Sequence, residues 1–529
     1  MDRRNFVISA AVAAVLRPWE AFARHGRGSA SSGGGGSTFD YYISTSGSDA
    51  NAGTLGSPWA ITSLCNTTQN AHNVANWNAI AGKRVGLIAG TYDVSAILAA
   101  AGNDAIGLDL PGGSSSSSTY VGSSNTSGIE TPRVATIEGN GNGTFGGSNS
   151  VHNSMIGHDL NVGYVTISGL TLTGAAVWCV TFGQVAGTNT APSGIVLQNC
   201  EITGNSAATS TSASGQNCAP VQLMSGTNAL ITNNYIHDNF GWTDNQHFSA
   251  VYHWGLGSGT TGTVISFNTV VNSGNLHGKE ASQTGTLIEN NYVDMTSMTP
   301  GGGGNLACIL GFYDNGSLTP GSTQLIIRNN ILISNAGGAG VSPGNLGGTW
   351  IDMTADADTQ HYIAYPVQIY NNTLVASAAL NGCGVLGWEQ TAAQKPLTFY
   401  NNLFYDAGFN AVNQYGWFWT NADVFTLCDY NIYGTHQGSS WASFSTNGTQ
   451  GGLNSSAASF TAWKTAVSAD ANSSTSSTNP FTNGGALSLQ YLVQTGSPAY
   501  QTGKVGGSGS TACNVGAWDG TVTQIGKNF

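Results

Sequence analysis

The sequence predicts an all-β chain wound as a right-handed parallel β-helix, on three observations. Nine segments repeat one plan, an alternating apolar run, a corner, and a second alternating run: VTISGLTLTG (165–174), IVLQNCEITGN (195–205), LITNNYIHDN (230–239), VISFNTVVNSG (264–274), LIENNYVDMT (287–296), LIIRNNILISN (326–335), VQIYNNTLVAS (367–377), LTFYNNLFYD (397–406) and FTLCDYNIYG (425–434). Period-2 alternation means strands with one buried face. The corner positions Leu170, Cys200, Asn234, Asn268, Asn291, Asn330, Asn372, Asn402 and Asn431 recur at 23 to 42 residues, the spacing of solenoids and propellers. Asn at the corner decides between them. It tolerates the left-handed conformation of a sharp bend, and its amide can bond the same amide one coil away. Helical-repeat signals and a Trp-Asp blade signature are missing. Nine to twelve coils are expected.

In chain order, 1–23 reads as a targeting segment. Arg3-Arg4-Asn5-Phe6 is a twin-arginine pair with an aromatic, Phe6–Leu16 is an apolar stretch too short to span a bilayer, and Ala21-Phe22-Ala23 offers a cleavage site. Export by the twin-arginine route to the periplasm or beyond is expected. A Gly/Ser linker follows at 24–38. Residues 39–160 are expected to form an N-terminal cap and first irregular coils, 161–435 the regular β-helix, and 436–529 the last coils and closure, with a short helix around Phe460–Val467. No further apolar run suggests a membrane span.

Charged residues are 8% of the chain, against about 25% in ordinary soluble domains. Without 1–23 the chain keeps 11 basic and 24 acidic residues, a net charge of −13. That excludes nucleic acid as a partner, because no basic stripe exists to release counterions. The eight cysteines show no CxxC spacing, so a zinc site is not expected. Cys200 with Cys218 is the nearest local pair, although small buried thiols are the favoured reading. A monomer is expected.

Reading back from each corner gives a further set of strands: WCVTF (178–182), PVQLM (220–224), SAVYHWG (249–255), LHGKEAS (276–282), ACILGFYD (307–314), CGVLGWEQ (383–390) and AVNQYGWFW (411–419). Neighbouring coils lie ~4.8 Å apart. Tyr252, His253, Trp254, His277, Lys279, Glu280, Tyr313, Asp314, Trp388 and Glu389 can therefore share one face or its rim, in a register that alternation alone does not fix. Lys279 stands out. Between Leu170 and Asn431 only Lys279, Arg328 and Lys395 are basic, and Lys279 is mid-strand beside Glu280. A lysine on a crowded sheet loses hydration, which favours the neutral amine needed of a base. A solvated Lys279–Glu280 pair is the competing reading. The catalytic candidates are Lys279, His253, Tyr252 and Glu280; the substrate-binding candidates are Trp254, His277, Tyr313, Trp388, Glu389 and Arg328.

The repeats over about 160–435 resemble the pectate-lyase-like superfamily of secreted, polysaccharide-active β-helices, in which the preceding strands line the substrate groove. SGNLHGKEAS (273–282) is similar to the Gly-Asn-Gly-x-Lys-x-Gly-Gly pattern of polysaccharide lyase family 9, and loosely to the lysine strand of family 6 alginate lyases. The resemblance implies β-elimination from a uronic-acid-containing polysaccharide, with Lys279 as base. It also implies calcium held by acidic residues one coil earlier, where Asp238 and Asp244 stand, although the dense acidic cluster of family 9 is missing. Two other readings remain open at this point. One is hydrolysis by paired carboxylates among Glu280, Asp314, Asp244 and Glu389. The other is a non-catalytic β-helix presenting Trp254, Trp388, Trp417 and Trp419 to sugars.

Overall fold

The computed structural model describes residues 38–65, 74–100, 106–140, 154–158, 163–175, 178–182, 193–205, 219–223, 228–239, 249–253, 260–273, 275–278, 283–296, 307–310, 325–334, 349–352, 367–376, 385–386, 397–406, 418–421, 425–434, 441–445, 455–481, 493, 497–500, 502–504, 512–513 and 516. The chain divides into 1–38, outside the described residues except for Thr38, and a body from Phe39 onward.

The body is a parallel β-helix. Among the described residues, three sheets of twelve strands run its length. The first sheet goes from Tyr41–Ile43 to Phe425–Asp429, the second from Ile106–Asp109 to Ser455–Ala457, and the third from Gly90–Asp93 to Ser474–Thr475. Each regular coil visits the first sheet, turns sharply into the third, then crosses to the second. Within these sheets one pair is antiparallel, Ala442–Ser445 with Ser455–Ala457, where the winding ends. The number of strands per sheet meets the upper end of the expected coil count.

Alternation has the predicted consequence. In the first sheet Ile167, Leu197, Ile231, Ile265, Ile288, Ile327, Ile369, Phe399 and Cys428 stand in one inward row, and all are buried. Apolar side chains at each rung thus close-pack on the same kind of side chain one strand spacing above and below.

The sharp corner is built by two residues with separate tasks. Asn199, Asn233, Phe267, Asn290, Asn329, Asn371, Asn401 and Tyr430 take the left-handed conformation, with φ between +54° and +58°. The next residue supplies the ladder. Asn234 donates from Nδ2 to Asn268 Oδ1 at 3.0 Å, and Asn268 to Asn291, Asn291 to Asn330, Asn330 to Asn372, Asn372 to Asn402 and Asn402 to Asn431 at 3.0–3.3 Å. The expectation that one asparagine does both is corrected. A second, shorter ladder was not foreseen: Asn205 donates to Asn239 Oδ1 at 3.0 Å and Asn239 to Ser273 Oγ at 2.9 Å, at the far end of the third-sheet strands.

Both ends are closed by aromatic groups. At the start, Trp59 is buried and stacks on Tyr41 with centroids 4.4 Å apart. The expected helical cap is modest, a 3-10 turn at Ile61–Leu64 and short helices at Val74–Ala79 and Ser95–Ala100. At the other end the helix Phe460–Val467, begun by Ser459 accepting from the Ala462 N–H, places Trp463 flat against Phe418 at 5.0 Å. Beside it, the fully buried carboxylate of Asp470 accepts from Trp463 Nε1, Tyr433 Oη, Ser473 Oγ, Asn431 Nδ2 and Cys428 Sγ at 2.6–3.3 Å. It ends the first ladder.

The chain beyond this helix does not simply continue the coil. Phe481, Val493 and Ala499 pack on Leu403 and Ile432, outward residues of the third sheet. Asn401 grips Lys504 through both backbone groups, at 2.6 and 3.1 Å, and the Gly516 N–H donates to Asn401 O. Gly516 has φ +107°, and a Cβ there would meet Thr373 Oγ1 at 2.7 Å. The terminal segment is thus a strap lying back over earlier coils.

Cys65, Cys179 and Cys428 are free and buried, as the small-thiol reading expects. Cys200 is buried at a ladder position, its Sγ 3.3 Å from Gln198 O; Cys218 lies outside the described residues. No helix among the described residues is long and apolar enough to cross a membrane.

Candidate functional site

The strands read back from each corner do form one sheet, the second. Its order runs through Trp178–Phe182, Val221–Leu223, Ser249–His253, Asn275–Gly278, Ala307–Leu310, Thr349–Asp352, Val385–Leu386 and Phe418–Asn421. Thr349–Asp352 is a member that the sequence pattern did not reveal.

Register now separates the two faces. Leu108, Ile156, Val180, Val221, Val251, Ile309, Ile351 and Phe418 occupy the inward row. His277 pairs with Val251 on one side and Ile309 on the other, so its backbone stands in that row. His253 pairs with Leu223 and is fully buried; Leu223 in turn pairs with Phe182 and belongs to the core. This corrects the grouping of His253 with the groove: its side chain is inside the coil. Tyr252 is in the outer row, after Thr181 and Gln222 and before Gly278. That row is itself covered. Thr181, Gln222 and Tyr252 are 3%, 0% and 1% exposed, and Thr181 Oγ1 donates to Gln222 Oε1 at 3.3 Å.

Arg328 belongs elsewhere, in the outer row of the first sheet. Its guanidinium meets Glu289 Oε2 at 2.7 Å and Tyr370 Oη at 2.9 Å, and Tyr370 stacks on Tyr400 at 4.8 Å. Burial alone would lower its pKa, but Tyr370 and Glu289 outweigh that and hold it above the usual guanidinium range. Arg328 is therefore a clamp between coils and does not share a face with Tyr252.

Asp238 sits in the left-handed conformation just after the third-sheet strand Tyr235–His237. Its Oδ2 is 2.8 Å from His237 Nδ1 and its Oδ1 accepts from Asn272 Nδ2 at 3.0 Å; these two bonds hold its carboxyl below the usual carboxylate range. His237 Nε2 in turn meets Glu201 Oε1 at 3.1 Å, and its ring stacks on Tyr235 at 3.9 Å. Calcium wants six to eight oxygen ligands. Here a histidine stands between the two carboxylates, so Asp238 does not fit the expected calcium site. Among the described residues no three His, Cys, Asp or Glu side chains converge on an ion position.

This Glu201–Tyr235–His237–Asp238 group went unnoticed in the sequence. Its signal was there: Glu201 and Tyr235 are 34 residues apart, one coil, in paired register. Lys279, Glu280, Trp254, Tyr313, Asp314, Trp388, Glu389, Asp244 and Trp417 lie outside the described residues, and Trp419 is described by its backbone alone.

No protein-family model matches the chain, and no curated protein does. Solved structures similar to it include the pectate lyase Pel9A, at 15% identity over 70% of this chain and 80% of that one, with a TM-score of 0.37. Another is a mannuronic acid specific polysaccharide family 6 lyase from human gut microbiota, at 14% identity over 70% and 72%, with a TM-score of 0.41. A third is PfbA, a surface adhesin of Streptococcus pneumoniae, at 14% identity over 73% and 91%, with a TM-score of 0.41. Likeness at this level assigns no activity, and the parallel β-helix stands on the chain's own strand pairing.

Proposed function

We propose that this chain is an exported polysaccharide lyase that cleaves a uronic-acid-containing glycan by β-elimination, with Lys279 as the base. The observation that carries the reading is the position of the strand Asn275–Gly278. It lies within the second sheet between Ser249–His253 and Ala307–Leu310, and its last residue stands beside Tyr252 in the outer row. Lys279 and Glu280 follow immediately in the chain, in the segment similar to the lyase lysine pattern.

The neutral amine of Lys279 takes the proton from C5, which is acidified by the adjoining carboxylate. The electron pair left on C5 forms the C4=C5 double bond as the C4–O4 bond breaks, and the leaving oxygen accepts a proton. Tyr252, the described hydroxyl in the outer row nearest that segment, is 1% exposed and supports the strand without reaching substrate; the Lys279 ammonium formed in the first step returns the proton in this reading. His253, turned inward, has no part in it. No step is routed through calcium.

The test is product chemistry with variants. Lys279→Ala should lower kcat by about 10²–10⁴-fold with an unchanged melting temperature. Lys279→Arg should also fail, because guanidinium stays protonated. Reducing ends without an unsaturated product, lost in Glu280→Gln and kept in Lys279→Ala, would replace elimination by paired-carboxylate hydrolysis.

A further inference from the structure

The Glu201–Tyr235–His237–Asp238 group lies on the outer face of the third sheet and takes no part in the reaction proposed above. Both ring nitrogens of His237 end on carboxylates. Nε2 is 3.1 Å from Glu201 Oε1, on the strand before, and Nδ1 is 2.8 Å from Asp238 Oδ2. A neutral imidazole has one N–H and one lone pair, so it serves one of these carboxylates and turns a lone pair towards the other. Only the imidazolium donates to both. The neutral ring has another partner within reach, since Thr203 Oγ1 is 3.5 Å from Nδ1 and can donate to it. Asp238 carries the connection one strand further by accepting from Asn272 Nδ2 at 3.0 Å. The side chains of His237, Glu201 and Asp238 are 15%, 29% and 51% exposed, so protons from solvent reach them.

We propose that this group is a proton-operated staple: with both ring protons in place it ties three successive coils together, and with one lost it lets them part at this edge. Histidine changes charge between about pH 5 and 8. The surroundings of the ring favour a cation. Thr203 pairs with His237 on the preceding strand and Val271 on the following one, with Asp294 next in that row. Tyr235 stacks on the ring from its own strand. Thr171 Oγ1 donates to the other Glu201 oxygen at 3.3 Å. Arg133 is the cation that acts on Glu201 and Tyr235, and its Nε donates to Asn199 O at 3.3 Å. Asp238 is held below the usual carboxylate range, first by its bond to His237 and then by Asn272. Its share of the stability is present above the unfolded carboxylate value and is lost only as pH falls through the lowered one; the share of the charged ring is present at the acid end and lost as pH rises. The staple is therefore strongest in mildly acidic solution. It fastens the ends from which the chain leaves the third sheet for Val221–Leu223, Ser249–His253 and Asn275–Gly278 in the second. The ladder Asn205–Asn239–Ser273 ties the same three rungs from within, through groups that do not titrate in this range.

The experiment compares the intact protein with His237→Gln and Asp238→Asn by hydrogen exchange, as protection factors of the backbone amides of Glu201–Thr203 and Tyr235–His237 at pH 5.5 and 8.5, with chelator throughout. Asparagine tolerates the left-handed backbone and keeps an acceptor for Asn272 while removing the charge. At pH 5.5 each variant should open these strands at least about threefold more often than the parent, the worth of a partly exposed charge pair. At pH 8.5 the parent should open as readily as the variants. Protection lost equally at both pH values would mean packing alone and overturn the proposal, and so would variants as well protected as the parent at pH 5.5. If His237→Gln does not fold, Asp238→Asn decides. If neither folds, the parent decides alone: these strands must gain protection at pH 5.5 relative to Thr373–Ala376, which lies far from the staple in the same sheet, and an equal ratio at both pH values overturns the proposal.

Discussion

Removing one amide from the middle of the ladder tests whether the corners hold the coils together. Asn330 makes four side-chain hydrogen bonds. Its Nδ2 donates to Ile288 O and to Asn372 Oδ1, both at 3.0 Å, and its Oδ1 accepts from Asn291 N and Asn291 Nδ2, again at 3.0 Å. In Asn330→Ala the losses are unequal. Asn291 Nδ2 still reaches Ile265 O and Glu289 O, and Asn372 Oδ1 still accepts from the Asn330 backbone at 3.1 Å. The Asn291 backbone N–H loses the acceptor that served it, in a place with no exposure. An orphaned buried donor costs about 1–3 kcal/mol, and the space left by the amide adds to it, so a loss of about 2–4 kcal/mol is expected. Asn330→Asp sharpens the test. At neutral pH its carboxylate would face two acceptors, Asn372 Oδ1 and Ile288 O, so this variant should be less stable than Asn330→Ala. Burial and those acceptors raise the folded pKa of such an Asp. Its relative stability is therefore present at low pH and lost as pH rises through that folded value. Urea denaturation followed by circular dichroism at pH 7 and pH 4 reads both effects. An alanine variant within about 0.5 kcal/mol of the parent, or an aspartate variant more stable than alanine at pH 7, would refute the reasoning.

Four further outcomes are expected. Asp470→Ala should cost at least about 3 kcal/mol, since five buried donors lose a charged acceptor, and Trp463 fluorescence should report the opening of that end. Stability should fall as pH climbs above 9. Burial pushes the Cys65 thiol up from 9.0 to about 12 and raises Tyr92, Tyr433, Cys179 and Cys428. The unfolded chain therefore releases these protons first, and stability present below the unfolded values is lost towards the folded ones; melting temperatures from pH 7 to 11 measure it. The same thiols should ignore a disulfide reagent in the native protein at pH 8 and react fully in denaturant. Arg3→Lys with Arg4→Lys should leave the precursor in the cytoplasm, read by cell fractionation; normal export would sink the twin-arginine reading.

The coil was legible because burial and winding both write themselves into the local pattern: alternation marks the strands and Asn marks the bend. The division of tasks at the corner was hidden wherever two asparagines adjoin, as at Asn290-Asn291 and Asn371-Asn372. Phe267-Asn268 and Tyr430-Asn431 held the answer, since only the second residue there has an amide for the ladder. Which of Tyr252 and His253 faces out could not be read, because a shift of one residue exchanges the faces and both are amphipathic enough for either. Thr349–Asp352 escaped because four residues in a long intervening stretch carry too little alternation. Asp470 was a single acid in a Ser- and Asn-rich run; its worth comes from donors that only the finished end brings together. Arg328 stood beside a corner, and nothing local said that its partners were 39 and 42 residues away.

The strap changes how this solenoid must assemble and come apart. A helix in which each rung touches only its neighbours can fray from either tip one rung at a time. Here Asn401 is bound to Lys504, 103 residues further on, and Gly516 is wedged over Thr373 and Leu403. The rungs bearing those residues cannot loosen until the strap lets go, so the final third should open as one cooperative block. Long-range closure of this kind is slow to form. On a ribosome, the outer face near Leu403 and Ile432 stays bare until the strap residues have emerged, which makes docking of the strap a late step of folding and keeps a sticky surface in need of protection until then.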